Sequence, residues 1–335
     1  ENHIYNNIMS NYKFYAPKIE GIYEEKYQVL SNIGENLVDK SKFVGSTPSI
    51  CIHNDELVVN RRFVDYKIDF DGNYNSGDYI TTINIMSRFS MDAEQLVRLG
   101  DDYKLYYDTM NDCRYVGLED VRLFSLGGKL LYNANRGIEK GMVVEHGEII
   151  LVSEENPMTK DEVLLKKTDQ LEFEKNWVLF IDIHNKKKCV YSWFPLVIGS
   201  LSGDQFLKTH EIKLPNSLRN VRGSTNGVII GDEIWFIGHI VSYEDRRYYY
   251  HSMIVLDRLT FELKRYTPFF TFRGEKVEYT LGFIFKDDKF IIGYSTMDKT
   301  TQFVTVEKDW FSKMFGRLDF EEKIEDKNEV ITINM

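Results

Sequence analysis

The chain of 335 residues is long enough for one large domain or two ordinary ones, and its 43% hydrophobic content predicts a globular protein with a substantial core. A formal charge of −10 and an isoelectric point near 5.3 argue against a nucleic-acid-binding surface, because binding to a phosphate backbone requires a basic face. Only three alanines accompany 21 tyrosines and 22 phenylalanines, a balance that favours strands over helices.

Cysteine usage and apolar runs bear on the compartment. Cys51, Cys113 and Cys189 are far apart and show no Cys-x-x-Cys spacing, so neither a disulfide framework nor a zinc site is predicted. No apolar run approaches the ~18 residues of a membrane span, and no basic-then-apolar signal pattern is present. We therefore expect a cytoplasmic protein. Since the chain begins with Glu1 rather than Met, fusion to other domains of a longer polypeptide stays open.

The first 45 residues lack clean periodicity, and we interpret them as an N-terminal segment with one short helix around residues 23–37. From Ser49 onward, short apolar runs alternate with Asn-Asp, Asp-Gly, Gly-Gly and Gly-Asp pairs, which are typical of hairpin turns. The sequence therefore predicts two parts, an N-terminal segment over residues 1–45 and an all-β domain over residues 46–335.

Strand–turn–strand units recur in the second part at intervals of roughly fifty to seventy residues. Five such units lie at residues 50–59, 121–132, 177–191, 227–236 and 281–292. This spacing matches propeller blades of four strands and is too regular for a two-sheet sandwich. We therefore predict a five-bladed β-propeller, with a short helix over residues 308–315 and a C-terminal strand over residues 330–333 that could complete the ring.

An acidic pair and an arginine, Glu119, Asp120 and Arg122, lie inside a strand-like apolar run. Alone, this cluster fits a structural ion pair as well as a functional site. In a propeller, however, the first strand of every blade lines the central channel, so residues at the starts of these strands converge at one end of the axis. The cluster would then be part of a site shared by all blades.

Polar residues stand near the corresponding point of every unit, and we select them as candidate site residues. In chain order they are Arg62, Glu119, Asp120, Arg122, Lys175, Asn176, Arg222, His239, Tyr250, His251, Glu278 and Asp298. Several also have a structural interpretation: Arg62 as an exposed strand charge, Lys175 as a partner of Glu174, and His239 as a core histidine. The tyrosines and histidine of residues 248–251 equally fit an ordinary sheet face.

Ordered motifs carry a resemblance to a known family. They are Gly117-x-Glu119-Asp120-x-Arg122, Glu174-Lys175-Asn176-Trp177, His239 followed by Tyr250-His251, and Glu278-Tyr279-x-x-Gly282 before Asp298. With this combination, residues 48–298 resemble the five-bladed propellers of glycoside hydrolase family 130, the mannoside phosphorylases, and of the related glycosyltransferase family 108. The chain departs from the usual pattern at Val121, where the family has proline before the arginine.

The resemblance implies inverting transfer of a sugar, with Asp120 as an acid that acts through a sugar hydroxyl and inorganic phosphate as the attacking group. Phosphate binding needs clustered cations, which Arg62, Lys175, Arg222 and His239 could supply. A hydrolase would instead be expected to carry a carboxylate base. The basic set therefore favours phosphorolysis, or transfer from a phosphate-bearing donor, over hydrolysis.

Other candidates would bind the sugar itself. Glu278 and Asp298 would accept hydrogen bonds from sugar hydroxyls, and Trp177 or Tyr250 would stack on a pyranose face. Trp193 and Trp235 are expected in the core, since burial of so large a ring is the commoner arrangement. The Asp69-Phe70-Asp71 run imitates a metal-binding signature, but the residues that follow it favour a turn.

The sequence thus predicts a glycosyltransferase or glycoside phosphorylase that acts on a carbohydrate substrate. We expect no metal and no cofactor, with inorganic phosphate or a nucleotide sugar as a substrate. A non-catalytic carbohydrate-binding or scaffold propeller within a larger glycosyltransferase polypeptide is the alternative.

Overall fold

Five antiparallel sheets succeed one another along the chain in the computed structural model, which describes residues 16–91, 94–152 and 154–315. The first strand of the first sheet contacts the first strands of both the second and the fifth sheets, so the sheets form a closed ring. The five-bladed β-propeller predicted from the hairpin spacing is confirmed.

The first two blades hold the first twelve strands. Blade 1 contains β1 (Val44–His53), β2 (Glu56–Val64), β3 (Lys67–Ile68), β4 (Tyr74–Asn75), β5 (Ile80–Met91), β6 (Leu96–Arg98), β7 (Tyr103–Lys104) and β8 (Tyr115–Val116). Its main sheet has the order β1-β2-β5-β6, and β3 and β4 pair with each other as a small separate hairpin. Blade 2 contains β9 (Leu118–Leu126), β10 (Lys129–Ile138), β11 (Gly141–Ile150) and β12 (Met158–Leu164).

The remaining strands complete the ring. Blade 3 contains β13 (Val178–Ile181), β14 (Lys187–Trp193), β15 (Leu196–Ser202) and β16 (Gln205–Ile212). Blade 4 contains β17 (Arg222–Gly223), β18 (Val228–Ile230), β19 (Glu233–Tyr243), β20 (Arg247–Asp257) and β21 (Leu263–Tyr266). Blade 5 contains β22 (Glu278–Lys286), β23 (Lys289–Thr296) and β24 (Gln302–Glu307).

Helical structure is sparse in the described part of the chain. The N-terminal segment forms α1 (Glu25–Gln28) and a 3-10 helix (Val29–Asn32), shorter than the predicted helix but at the same place. A second 3-10 helix (Asn216–Leu218) precedes blade 4, and the predicted helix over residues 308–315 is confirmed. No helix among these residues is long and apolar enough to cross a membrane.

Five apolar clusters fill the junctions between neighbouring blades, and a smaller sixth cluster contains Val64, Ile80 and Val277. Strand β19 shows why, because its side chains alternate: Ile234 and Phe236 pack toward blade 3, while Trp235 and Ile237 pack toward blade 5. Strand β19 is thus buried on both faces. Trp193 and Trp235 are buried in these clusters as predicted.

The N-terminal segment meets blade 5. Ile22 forms two backbone hydrogen bonds with Thr305 of β24, of 2.8 and 2.9 Å, and so extends this three-stranded sheet at its outer edge. Leu30 and Ile33 are fully buried in the cluster between blades 5 and 1. The C-terminal strand predicted over residues 330–333 lies outside the described residues.

Candidate active site

A cavity of about 270 Å³ opens at one end of the propeller axis and receives residues from all five blades. Eight of the twelve predicted site residues line it, which brings together positions up to 236 residues apart in sequence, from 62 to 298. They are Arg62, Glu119, Asp120, Lys175, Asn176, Arg222, His239 and Asp298. Convergence of the polar positions is the arrangement that the propeller geometry predicted.

A bulge in β9 directs the acidic pair into this pocket. Asp120 and Val121 together face Ala134 of β10, so the register shifts by one residue. Asp120 adopts a left-handed backbone conformation with φ +52°. Neighbouring side chains of a regular strand point to opposite faces, but the bulge lets both Glu119 and Asp120 line the pocket while Val121 stays buried.

The turn before this bulge requires glycine. Gly117 has φ +90°, and a Cβ at this position would collide with the carbonyl oxygen of Thr82. Its backbone N–H donates to Asp112 at 2.8 Å, and Asp112 also accepts hydrogen bonds from the buried Arg136 at 3.0 and 3.1 Å. The loop that leads to Asp120 is therefore held from two sides.

The Asp120 carboxylate is held by two side chains. Arg62 Nη1 donates to Asp120 Oδ1 at 2.8 Å, and Asn135 Nδ2 donates to Asp120 Oδ2 at 3.2 Å. Arg62 Nη2 also lies 3.5 Å from Glu119 Oε1. The expectation that Arg62 serves the phosphate is corrected, because this buried guanidinium is paired with the two carboxylates.

A third carboxylate, that of Asp298, lines the pocket from blade 5. The Tyr66 hydroxyl donates to Asp298 Oδ2 at 2.8 Å. Burial raises the pKa of both Glu119 and Asp298, although Arg62 opposes the shift in each case. These carboxyls therefore hold their protons to a higher pH than exposed carboxyls do.

The remaining predicted cations differ from one another in charge state and exposure. Lys175 and Arg222 are exposed, and their side chains make no hydrogen bond or ion pair with any residue that the structure describes. His239 is buried, with Nδ1 2.7 Å from the Ser224 hydroxyl. Burial, followed by the charges of His251 and Arg222, holds the pKa of His239 well below its usual range. His239 is therefore a neutral hydrogen-bonding group, which corrects its prediction as a cation.

Four predicted site residues lie outside the pocket wall. Arg122 is buried beneath it and donates to the backbone oxygens of Ser224 and Asp120 at 2.6 and 3.1 Å, and to the Tyr279 hydroxyl at 3.0 Å. It supports the bulge and does not line the cavity. Glu278 is likewise buried, and its carboxylate accepts backbone N–H groups from residues 272, 273 and 275 at 2.7, 2.7 and 3.0 Å. Its predicted contact with a sugar hydroxyl is corrected to a loop-stabilising role.

The other two corrections concern aromatic side chains of β20. Tyr250 is buried between blades 3 and 4 and donates to Glu244 at 3.0 Å, so it cannot stack on a sugar. His251 is buried with its ring centroid 4.6 Å from that of Phe272. Trp177 is also buried, between blades 2 and 3, and presents no face to the pocket.

The pocket also contains residues that the sequence argument missed. They are Tyr66, Tyr74, Ser76, Ile80, Arg114, Tyr115, Asn135, Met142, Phe173, Tyr249, Val277 and Tyr279. The alternation of side chains along a strand would have identified Tyr249, because it points to the opposite face from Tyr248 and Tyr250. The Tyr249 ring stacks on His239 with 5.5 Å between ring centroids, whereas Tyr248 and Tyr250 stack on each other. Among the described residues, no group of three or more His, Cys, Asp or Glu side chains could hold a metal ion.

Solved structures similar to this chain cover most of its length. A β-1,2-mannobiose phosphorylase from Listeria innocua has a TM-score of 0.61 at 13% identity, over 88% of this chain and 99% of that protein. A glycosyl hydrolase from Bacteroides ovatus has a TM-score of 0.60 at 11% identity, over 87% of this chain and 96% of that protein. A mannose phosphorylase from Leishmania mexicana, solved with a phosphate ion, has a TM-score of 0.52 at 9% identity, over 91% of this chain and 93% of that protein. The chain shares its fold with these proteins. No protein-family model matches the sequence, and no curated protein matches it.

Burial of the neutral His251 side chain should make the protein less stable in acid. Burial lowers the pKa of His251 to about 3, whereas an unfolded chain binds a proton at this side chain near pH 6.5. The unfolded state then binds more protons below pH 6.5, so the contribution of neutral His251 is present above that pH and declines as the pH falls. Between pH 6.5 and 4.5, we expect the free energy of unfolding of the wild type to fall by roughly 2 kcal/mol more than that of His251→Phe.

Urea unfolding at several pH values would measure this difference. Phe suits the site because the ring lies between Phe270 and Phe272. Parallel stability profiles for the two proteins would contradict the prediction, since other titrating groups are common to both.

Proposed function

We propose that the chain is an inverting, sugar-transferring enzyme that acts on mannosides as a glycoside phosphorylase, with Asp120 as the acid. The observation that carries this proposal is that one pocket contains both a candidate acid and candidate phosphate-binding cations. A carboxylate set by a bulge, Asp120, shares the cavity with two exposed cations, Lys175 and Arg222, that have no partner among the described residues. The fold shared with mannoside phosphorylases supports the choice of sugar.

The reaction would exchange one bond at the anomeric carbon. A phosphate oxygen attacks that carbon from the face opposite the glycosidic oxygen, and the carbon–oxygen bond breaks with its electron pair on the departing oxygen. The proton of Asp120 reaches this oxygen through a sugar hydroxyl, the route that the family resemblance implies. The products are a sugar 1-phosphate and a free sugar, and in the reverse direction the Asp120 carboxylate takes the proton from the acceptor.

Phosphate is favoured over water as the attacking group. An inverting hydrolase needs a base that activates water at roughly 6.5–9.5 Å from the acid. The other carboxylates of the cavity already have partners: Glu119 lies 3.5 Å from Arg62, and Asp298 accepts a hydrogen bond from the Tyr66 hydroxyl. Exposed Lys175 and Arg222 suit a phosphate, or the phosphate of a sugar 1-phosphate or nucleotide-sugar donor.

The second candidate is a carbohydrate-binding propeller without catalysis. It would be favoured by an ion pair between Asp120 and Arg122 above a closed axis. Instead, the Asp120 carboxylate pairs with Arg62, and Arg122 bonds the backbone oxygen of Asp120 and not its carboxylate. The axial cavity is lined by residues of all five blades. This geometry supports the enzyme over the scaffold.

The direct test is incubation with mannose 1-phosphate, or with GDP-mannose, and a panel of acceptor sugars, followed by analysis of phosphate or nucleotide release and of new oligosaccharides. Phosphorolysis of β-1,2-mannobiose would be assayed alongside. Product formation with any of these donors supports a transferase or phosphorylase. Sugar binding in the absence of any product would instead support the carbohydrate-binding propeller.

The phosphate side of the pocket has its own prediction. Arg222→Gln removes an exposed guanidinium that would bind phosphate by charge-assisted hydrogen bonds, each worth about 1.5–3 kcal/mol. We expect the KM for phosphate to rise at least about tenfold, with a smaller change in the KM for the glycoside. Initial rates at varied phosphate would measure it. Arg219→Gln, at an exposed arginine outside the axial cavity, is the comparison variant; an equal effect of both variants would count against the assignment.

A further inference from the structure

One cation of the axial cavity has no role in the reaction described above. Arg114 is exposed and lines the cavity, and its side chain makes no hydrogen bond or ion pair with any described residue. Its backbone is nevertheless fixed, because its carbonyl oxygen accepts the N–H of Ile80 at 2.8 Å and the next residue, Tyr115, pairs with β5. The exposed Arg114 guanidinium therefore extends from a backbone segment that is fixed by hydrogen bonds.

Arg114 lies on a different wall from the phosphate cations. Its segment pairs with blade 1 and leads directly into blade 2, so it lies at the junction of these blades. In a ring of five blades, this junction faces blade 4 across the axis, and blade 4 carries Arg222 and His239. The cavity thus has a cation on each side of the axis, Arg114 on one side and Arg222 on the other.

The carboxylates of the cavity do not account for this charge. The Arg62 guanidinium already contacts both Asp120 and Glu119, at 2.8 and 3.5 Å. Asp298 accepts a hydrogen bond from Tyr66, and among the described residues no ion pair joins Arg114 to any of these three carboxylates. Arg114 is therefore available to a negative group on the ligand.

We propose that Arg114 forms a subsite for an anionic group, a phosphate ester or a carboxylate, on the departing sugar, which is the acceptor in the synthetic direction. The inference rests on the proposed function, because in an inverting displacement the attacking and departing groups occupy opposite faces of the sugar. With phosphate bound beside Lys175 and Arg222, the departing sugar lies toward Arg114. The guanidinium fork suits either anion, since it can donate two parallel hydrogen bonds, and the neighbouring Tyr115 lines the same cavity.

The test compares acceptors that differ only in charge. With mannose 1-phosphate as donor, we expect kcat/KM for a hexose 6-phosphate or a hexuronate to exceed that for the neutral hexose at least about tenfold. Arg114→Gln should reduce this ratio to near one, and Arg114→Lys should retain part of it. A preference for the phosphate ester alone, or for both anions, identifies the source of the charge. Equal use of neutral and anionic acceptors by the wild type, or a preference that survives Arg114→Gln, would overturn the proposal.

A binding measurement separates this subsite from the catalytic proposal. Calorimetric titration of the wild type and Arg114→Gln with the same three sugars needs no turnover, and Arg219→Gln serves as the exposed-arginine control. Tighter binding of the anionic sugars that is lost only in Arg114→Gln supports the subsite even if no product forms with any donor. Turnover of neutral acceptors with no Arg114-dependent anion binding would reject the subsite and leave the proposed function in place.

Discussion

Asp120→Asn is expected to lower the rate of phosphorolysis, and of the reverse synthesis, by about 10²- to 10⁴-fold, the usual contribution of a positioned general acid. Asn has nearly the same shape and tolerates the left-handed conformation of this position, φ +52°, so the bulge should persist. It cannot supply the proton that the departing oxygen requires. Steady-state kinetics in both directions would measure the loss, with binding of sugar 1-phosphate expected to remain.

Two further variants sharpen this result. Asp55→Asn makes the same change in an exposed turn at the other end of blade 1, also at positive φ (+62°), and is expected to leave the rates unchanged. Glu119→Gln tests the neighbouring carboxyl, whose pKa is raised by burial. We expect a smaller loss than with Asp120→Asn. If Glu119→Gln abolishes activity while Asp120→Asn retains it, the acid is Glu119, and if neither variant loses activity, the phosphorylase proposal fails.

The blades were predictable because their signals are local. Each inner hairpin combines an apolar run with a turn of two or three polar or glycine residues, and the pairs at Asn54-Asp55 and Asp287-Asp288 do adopt positive φ. The outer edge of blade 5 was not predictable, since Ile22 and Thr305 pair across 283 residues without any local pattern. Ring closure of this kind depends on tertiary packing.

The site was predicted in outline because five strand starts must converge, but orientation depends on register. A regular alternation would have sent Glu119 and Asp120 to opposite faces, and only the shift opposite Ala134 brings both into the pocket. Strand β20 instead keeps a regular register with β19, so neighbouring side chains alternate: Tyr249 faces the pocket and Tyr250 faces the core. Residue type alone could not distinguish these two tyrosines.

Charge assignments failed where burial decides the chemistry. Arg62 looked like a phosphate ligand in the sequence, but its side chain is buried against Asp120 and Glu119. Glu278 looked like a sugar ligand, but three backbone N–H groups occupy its carboxylate. Arg114 escaped notice because it belongs to a loop before the motif and acquires its place only when β8 pairs with β5.

Arg122→Met is expected to reduce the free energy of unfolding by roughly 3 kcal/mol, the largest stability effect that we predict for a single side chain. Arg122 is 1% exposed and joins blade 2 to the Ser224 carbonyl of blade 4 and the Tyr279 hydroxyl of blade 5. Met fills a similar volume but leaves these buried polar groups without their partner, at about 1–3 kcal/mol for each unsatisfied group. Part of this cost is offset because the buried guanidinium no longer has to be desolvated.

Urea unfolding would measure the change, with Arg88→Met as the matched control. Arg88 is a strand arginine bonded to Glu56 through two hydrogen bonds of 2.7 and 2.9 Å, but the pair is partly solvated and should contribute less than about 1 kcal/mol. Because Arg122 also holds the backbone oxygen of Asp120, its loss should lower kcat for phosphorolysis as well. An unfolding midpoint equal to that of Arg88→Met would show that the three blades do not depend on this guanidinium. A lowered midpoint with full activity would show that the bulge holds Asp120 by itself.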